Sequence, residues 1–379
     1  MVLLVQKYTS FDVTVQTALK FEEREFPSVT MCNLNPYRNS TLKNSLHMAD
    51  LMRNYEAAIQ GSNSHLDLTN KWGFRTLNDT IAIQSAARDH LMFIAGNLSQ
   101  DTRDMMTYTL QERGDFTSGF ILSCAFNTKP CKFPNETSSV SDFKTIDDPI
   151  YGKCYTFNQN AQYKSTRAGP MYGLRQLAVS NQDEYLPLTE SAGVRVAVHG
   201  AKEEPFPDAF GYNAAAGFTT SFGIKFIRTK RLSLPYGNCT DVKDPQQYFY
   251  SGDYQVEGCF RSCFQMRIIT DCGCGDPRFK LPAGSSGYQN CPTFGPAREC
   301  IAKYNSNNET KSGFSVVRDC VCPQPCTEST YGVTVSTALW PADVYIPPEC
   351  ILPSDGKPWD QGPNATAEEN EIECMKWFK

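Results

Sequence analysis

The sequence predicts an α+β fold bound together by disulfides, and three observations carry that expectation. Apolar residues recur at helical spacing from about 43 to 113. Short period-2 and apolar runs typical of strands lie before and after that stretch. Of the 16 cysteines, Cys32, Cys124, Cys131 and Cys154 serve the first 238 residues, and twelve fall between Cys239 and Cys374. A chain of 379 residues, 40% of them hydrophobic, has material for about two to three domain-sized units with real cores.

Taken in order, the alternation of Val13, Val15, Thr17 and Leu19 reads as a half-buried strand, and after the Phe26-Pro27 break 29–37 reads as a strand running into a turn. In the helical stretch Leu51, Met52, Tyr55, Ala58 and Ile59 form one apolar stripe, and Leu91, Ile94 and Leu98 another. Strands are expected at 120–126 and 153–158, around a Pro/Ser loop. Three more are expected at 174–180, 193–199 and 219–228, broken by Pro187, Pro205 and Pro207. Beyond Cys239 the chain reads as short helical pieces and loops, followed by a strand at 333–338. No fixed-period repeat emerges.

The disulfide-dense composition points to an oxidising, extracellular or lumenal compartment. Seven Asn-x-Ser/Thr sequons agree, at Asn39, Asn78, Asn97, Asn135, Asn238, Asn308 and Asn364. Asn238 is the least suited to a glycan, because its neighbour Cys239 is expected in a disulfide. The net charge of −5 argues against a phosphate-neutralising nucleic-acid binder, and no apolar run reaches the about 20 residues of a spanning helix. Met1-Val2-Leu3-Leu4-Val5 lacks the basic leader and cleavage site of a signal peptide. It reads either as a buried first strand or as the outer end of a membrane helix. Glu373-Cys374-Met375-Lys376-Trp377-Phe378-Lys379 stops in mid-pattern, so both ends look cut.

Nothing in the residue types supports an enzyme, and no metal or cofactor is expected. Cys272-Gly273-Cys274 and Cys320-Val321-Cys322 are closer spaced than the usual zinc half-site, and disulfides explain them better. His47, His65, His90 and His199 are accompanied by no Gly-x-Ser-x-Gly elbow. Glu22-Glu23, Asp183-Glu184 and Glu203-Glu204 read as solvated faces or turns. Arg228-Thr229-Lys230-Arg231 has the form of a processing site but ends a strand candidate.

Three stretches together are more specific. They are Phe26-Pro27-Ser28-Val29-Thr30-Met31-Cys32-Asn33-Leu34-Asn35, Tyr151-Gly152-Lys153-Cys154-Tyr155-Thr156-Phe157-Asn158, and Gln182-Asp183-Glu184-Tyr185-Leu186-Pro187 with Gly193-Val194-Arg195-Val196. They resemble the extracellular domain of the degenerin/epithelial sodium channel/acid-sensing channel family, and the twelve late cysteines are similar in order and spacing to that family's thumb. The resemblance covers essentially the whole chain. It implies a hand-like ectodomain: the outer end of a first membrane helix at 1–8, palm and β-ball strands at 9–42 and a helical finger at 43–123. Further β-ball and palm strands follow at 124–238, a disulfide-laddered thumb at 239–326, and a returning palm strand with a knuckle-like segment at 327–379. Both membrane helices lie outside this chain on that reading. The implied disulfides join Cys32 to Cys154, Cys124 to Cys131, Cys239 to Cys326, Cys259 to Cys322, Cys263 to Cys320, Cys272 to Cys300 and Cys274 to Cys291. Cys350 and Cys374 remain and pair by parity. Like or unlike subunits, three in number, are implied to surround a sodium-selective pore in the plasma membrane that amiloride blocks, with this segment outside the cell.

The family divides by stimulus. Its acid sensors rely on crowded carboxylates that raise one another's pKa values. Here 188–192 holds one acid, Glu190, and Ile301-Ala302-Lys303-Tyr304-Asn305 holds none. Gln6-Lys7-Tyr8-Thr9 stands where acid sensors carry paired histidines, so proton gating is not expected. Asp148-Pro149-Ile150-Tyr151-Gly152-Lys153-Cys154, Gly173-Leu174-Arg175 and Leu234-Pro235-Tyr236-Gly237-Asn238-Cys239 are similar to the invertebrate branch, which holds degenerins and channels opened by Phe-Met-Arg-Phe-amide-like neuropeptides. Such a peptide wants an aromatic pocket with a carboxylate nearby, and the candidates are His90, Phe93, Asp101, Asp104, Tyr108 and Phe116. The plainer alternative is that Phe93 and Tyr108 fill the finger's own core. Peptide gating is the leading expectation, and constitutive or mechanical opening of the degenerin kind is the alternative. A secreted Cys-rich binding module is the reading from another class. Coupling to the pore is implied at Tyr236, just before the first thumb cysteine, with Tyr8 as its aromatic partner.

Overall fold

The computed structural model describes residues 15–19, 22–61, 69–110, 119–134, 141–243, 248–282, 287–305, 313–342, 344–351, 360, 362 and 364–378. Tyr8, His65, Phe116, Asn135, Asn308 and the whole of 1–8 lie outside the described residues.

A five-stranded antiparallel sheet forms the centre of the fold. Its order is β10 (Tyr212–Ala215), β9 (Gly193–His199), β2 (Ser28–Asn33), β6 (Gly152–Phe157) and β5 (Phe143–Asp148). A smaller sheet of β4 (Lys129–Pro130), β3 (Ile121–Phe126) and β8 (Leu174–Ala178) shares an apolar core with it. β1 (Arg24–Glu25) pairs with β7 (Lys164–Ser165). β11 (Phe218–Lys230) and β12 (Thr327–Leu339) form a separate two-stranded ribbon in unbroken register.

All six residues of β2 are buried, because the strand is flanked on both edges and covered on both faces. Val29 and Met31 point into an aromatic core with Phe26, Phe120, Phe126, Tyr155 and Phe157. The opposite face is a buried polar stripe. The Thr30 hydroxyl lies 2.7 Å from that of Thr156 and 2.8 Å from His199 Nε2, and His199 Nδ1–H donates to the Gly200 carbonyl at 2.9 Å. Cys32 stands opposite Cys154 with Cα atoms 4.4 Å apart, the close spacing of a non-hydrogen-bonded antiparallel pair, and a disulfide bridges them.

The turn after β2 explains why the first and third family-like stretches occur together. Asn35 is fully buried, and its Nδ2 lies 2.7 Å from the Tyr37 carbonyl, 2.8 Å from that of Glu184 and 2.9 Å from the Tyr108 hydroxyl. Its Oδ1 accepts from the Leu186 N–H at 3.0 Å and the Thr189 hydroxyl at 2.9 Å. Leu34 N–H donates to the Gly193 carbonyl, so the first and third stretches meet here through main chain as well as side chain.

Three helices form a layer beside the sheets: α1 (Leu46–Ile59), α2 (Thr80–Asn97) and α3 (Gln100–Met106). Ser45, Asp79 and Ser99 cap them by accepting from first-turn N–H groups. Met48, Leu51, Met52 and Tyr55 pack on Ile83, Ala87, Leu91 and Ile94, with Trp72, Phe74, Leu186 and Leu188 filling the ends. Ile59 is the exception to its stripe, 40% exposed in the last turn of α1.

The cysteine-rich unit is built on α4 (Val256–Cys272), which Gly273 ends in the left-handed region at φ 76°, with α5 (Pro296–Asn305) and the short α6 (Val316–Asp319) against it. Cys259 and Cys263 lie one turn apart on α4, about 6 Å of rise, and are joined to Cys322 and Cys320, two residues apart on extended chain and so about 7 Å. The two spacings match, so one Cys-x-Cys spans one helical turn. Further bridges join Cys272 to Cys300, Cys274 to Cys291, Cys124 to Cys131 and, at the foot of the ribbon, Cys239 to Cys326. Cys350 in α7 (Pro348–Ile351) is joined to Cys374 in α8 (Ala367–Phe378).

The structure corrects several readings of the sequence. Residues 15–19 are not a strand: Val15 is 92% exposed and Leu19 79%, and no described strand lies beside them to complete a ladder. Strands β5 and β10 were hidden by polar or small residues at the sheet edges. Glu204 is not solvated. It is buried against the cysteine-rich unit, paired with Lys280 and accepting from the Ser251 hydroxyl. Burial also pushes the Glu203 carboxyl upward. Among the described residues no helix is long and apolar enough to cross a membrane.

Candidate functional site

The second face of α2 meets a partner other than α1. Asp89, Phe93, Gly96 and Asn97 stand at i, i+4, i+7 and i+8, a single stripe of the helix. All four contact the cysteine-rich unit. Phe93 is fully buried among Ile268, Cys291 and Ile301, with the Arg298 guanidinium 4.2 Å over its ring. Gly96 allows main chain to touch main chain, since a Cβ there would stand 2.3 Å from the Pro277 carbonyl oxygen. Asn97 Nδ2 donates to the Cys291 carbonyl at 3.0 Å, and Asn290 Nδ2 returns a bond to the Gly96 carbonyl at 3.1 Å.

Charge completes the seam. Asp89 receives Arg278 at 2.5 Å on one oxygen and Arg298 on the other. Arg278 is shared with the fully buried Asp276, at 2.5 Å. Outside the seam, Arg88 of α2 pairs with Glu190 of the loop before β9 at 2.9 Å. His90 is held below its ordinary value by burial and by the nearby Arg298 charge, and its neutral ring donates Nε2–H to the Trp72 carbonyl at 3.2 Å. The arrangement joins two units through packing, hydrogen bonds and ion pairs, and offers no nucleophile or acid/base pair. Among the described residues no cluster of three or more His, Cys, Asp or Glu is placed to hold a metal ion.

Among the described residues the candidates for the expected peptide pocket are not brought together, and Phe116 lies outside them. Phe93 faces the cysteine-rich unit, whereas Tyr108 lies in the sheet core, its hydroxyl beside Asn35 and its carbonyl accepting from Tyr155. Neither fills the core between α1 and α2, because α2 presents Phe93 on its other face and the chain turns into the sheet before Tyr108. His90 packs edge-on against Trp72 and Phe74. Asp101 and Asp104 lie on α3, where Asp104 pairs with Lys153 at 2.6 Å, and that partner holds its carboxyl below the usual range against the opposing effect of desolvation. Tyr236 is half exposed in the link between β11 and Cys239. Asn39, Asn78 and Asn364 are exposed, but Asn97 spends its side-chain nitrogen, the atom a glycan would take, on the Phe93 and Cys291 carbonyls. Arg278 and Arg298, absent from the sequence-derived candidates, carry the seam. Nothing in the sequence sets them apart from Arg261, Arg267 and Arg318, which lie among the same cysteines.

The profile of a family described as Amiloride-sensitive sodium channel matches residues 1–361. The chain is 42% identical over 289 residues to Degenerin unc-8 of Caenorhabditis elegans, covering 75% of this chain and 35% of that protein. It is 40% identical over 275 residues to Degenerin mec-4 of Caenorhabditis briggsae, covering 71% and 33%. It is 42% identical over 277 residues to Degenerin deg-1 of Caenorhabditis elegans, covering 71% and 34%. The chain thus spans about a third of the length of these relatives. A match over nearly every residue that builds the two sheets, the helical layer and the cysteine-rich unit leaves one conclusion: the chain belongs to the amiloride-sensitive sodium channel family.

Proposed function

We propose that this chain is the extracellular part of a degenerin-type subunit of a sodium-selective, amiloride-blocked plasma-membrane channel, three subunits surrounding one pore. The family is one of ion channels, not enzymes. In this reading the helical layer is the finger, the cysteine-rich unit the thumb and the sheets the palm and β-ball. The observation that carries it is the likeness to degenerins at about 40% identity across most of the chain. Constitutive or mechanical opening takes precedence over neuropeptide gating, because Phe93 and Tyr108 are buried in separate cores. The ion pairs of α2 also favour it over proton gating: Asp89 faces two guanidiniums and Glu190 one, where proton sensing needs carboxylates facing each other. The test is to express the full-length protein in oocytes and record under membrane stretch, Phe-Met-Arg-Phe-amide, acid and amiloride in turn. An amiloride-blocked sodium current at rest or under stretch is expected. A current that appears only with peptide restores the peptide reading, and surface protein without sodium current in any condition overturns the channel reading.

A further inference from the structure

Beside the seam lies a site that the chain fills with its own side chain. The Lys71 ammonium sits 4.7 Å from the centroid of the Trp72 ring and 4.6 Å from that of Phe294. The two rings meet edge to face, 5.2 Å apart at 63°. Asp50 Oδ2 lies 3.4 Å from the same ammonium and accepts the Trp72 indole N–H at 3.1 Å, so the carboxylate is held in place by the wall it faces. His47 closes on Phe294 at 5.7 Å and His90 on Trp72 at 5.2 Å, both edge-on.

Two aromatic faces and a fixed carboxylate are what a weakly hydrated organic cation needs, and sodium ions keep their water in preference. The walls and the occupant differ in a telling way. Trp72 is 3% exposed and anchored in the helical core, while the Lys71 side chain is 31% exposed on a flexible four-carbon stem. The occupant can leave for solvent without disturbing the walls. Trp72 belongs to the helical layer and Phe294 to the cysteine-rich unit, so anything in the box touches both sides of the seam.

We propose that this box binds an extracellular organic cation, an alkylammonium or guanidinium group free in solution or carried on a peptide, and that Lys71 is its built-in competitor. A competitor covalently attached to the site scales the apparent affinity down to the fraction of time it leaves the site vacant. The inference rests on this geometry and is independent of what the channel conducts.

The test follows thermal denaturation of the full-length protein in detergent, titrated with n-butylammonium chloride or N-acetyl-arginine methylamide against sodium chloride of equal ionic strength. Wild type should be protected at high concentration. Lys71→Ala should reach half-maximal protection at least tenfold lower, and adding Asp50→Asn should abolish it. Stronger protection by the amine assigns an alkylammonium head group and by the arginine amide a guanidinium, and N-acetyl-arginine methylamide is compared with methylguanidinium chloride: better protection by the former assigns a peptide side chain, by the latter a free cation. Equal midpoints for wild type and Lys71→Ala, persistence in the double variant, or no protection of wild type up to the solubility limit would each overturn the proposal. Because Lys71→Ala also removes an ion pair, Lys71→Gln is run beside it and should likewise shift the midpoint downward.

Discussion

His199 and Asn35 show how much of the fold rests on single buried polar groups. Burial lowers His199 to about 4, against an ordinary 6.5. Below pH 6.5 the unfolded chain therefore takes up a proton that the folded chain refuses. The stability this group contributes is full above that value and falls as the pH drops toward 4, by about 2 kcal/mol at pH 5. Asp148 acts in the opposite sense: burial raises it to about 6, so its contribution is full at low pH and is lost as the pH rises through 6. His199→Asn keeps a donor for the Gly200 carbonyl and removes the titration. Its thermal stability should change less between pH 7 and pH 5 than that of the wild type, and an unchanged difference would show that His199 does not carry the acid sensitivity. Neither group was legible from its letter. A histidine ending a strand and an asparagine in a turn look ordinary until the strand proves central and the turn buried.

At the scale of elements, α2 is the informative case. Its first face, Leu91 and Ile94 among others, follows the helical period and was legible. Its second face mixes an acid, an aromatic ring, a glycine and an amide, so a reading by hydrophobicity passes over it although the spacing is just as regular. The same blindness hid β10, whose Tyr-Asn-Ala-Ala carries no alternation, while β9 and β11 were found to within two residues and β12 only in its second half, its polar start at Thr327-Glu328-Ser329-Thr330 passing for loop. Pairing of cysteines was beyond spacing alone; resemblance supplied it, and the helical turn shared by Cys259 and Cys263 supplies the reason. The second face of α2 can be tested directly. Gly96→Val should force α2 off the Pro277 main chain and cost about 1–3 kcal/mol. Hydrogen exchange should quicken around Cys291, where Gly275 accepts its N–H at 2.8 Å, and unchanged protection there would show that the contact does not hold the units together.

For the whole molecule, nearness along the chain did not decide what was legible: β5 and β10 were missed beside their chain neighbours β6 and β9, while β9 was found although it pairs with the distant β2. The seam, joining residues about two hundred positions apart through single side chains, left no period to read. Tyr236 sits where the ribbon hands over to the cysteine-rich unit, with a Ser233 carbonyl accepting its N–H at 3.0 Å. In the proposed channel Tyr236→Ala should slow or abolish stimulus-evoked current with surface biotinylation unchanged, and wild-type activation kinetics would remove it from the coupling. The bridge at the foot of the ribbon adds a consequence for force. Arg231 N–H donates to the Cys326 carbonyl at 2.7 Å, and Cys239 is bonded to Cys326 across a sequence separation of 87. Tension drawn along β11 toward β12 can therefore cross a covalent bond at the ribbon's base, short-circuiting the long excursion between the two cysteines. That excursion is mechanically shunted: pulled from the ribbon, its helices bear no load, and it is strained through what meets it from the side, α2 and the segment holding Glu204 and Asp208.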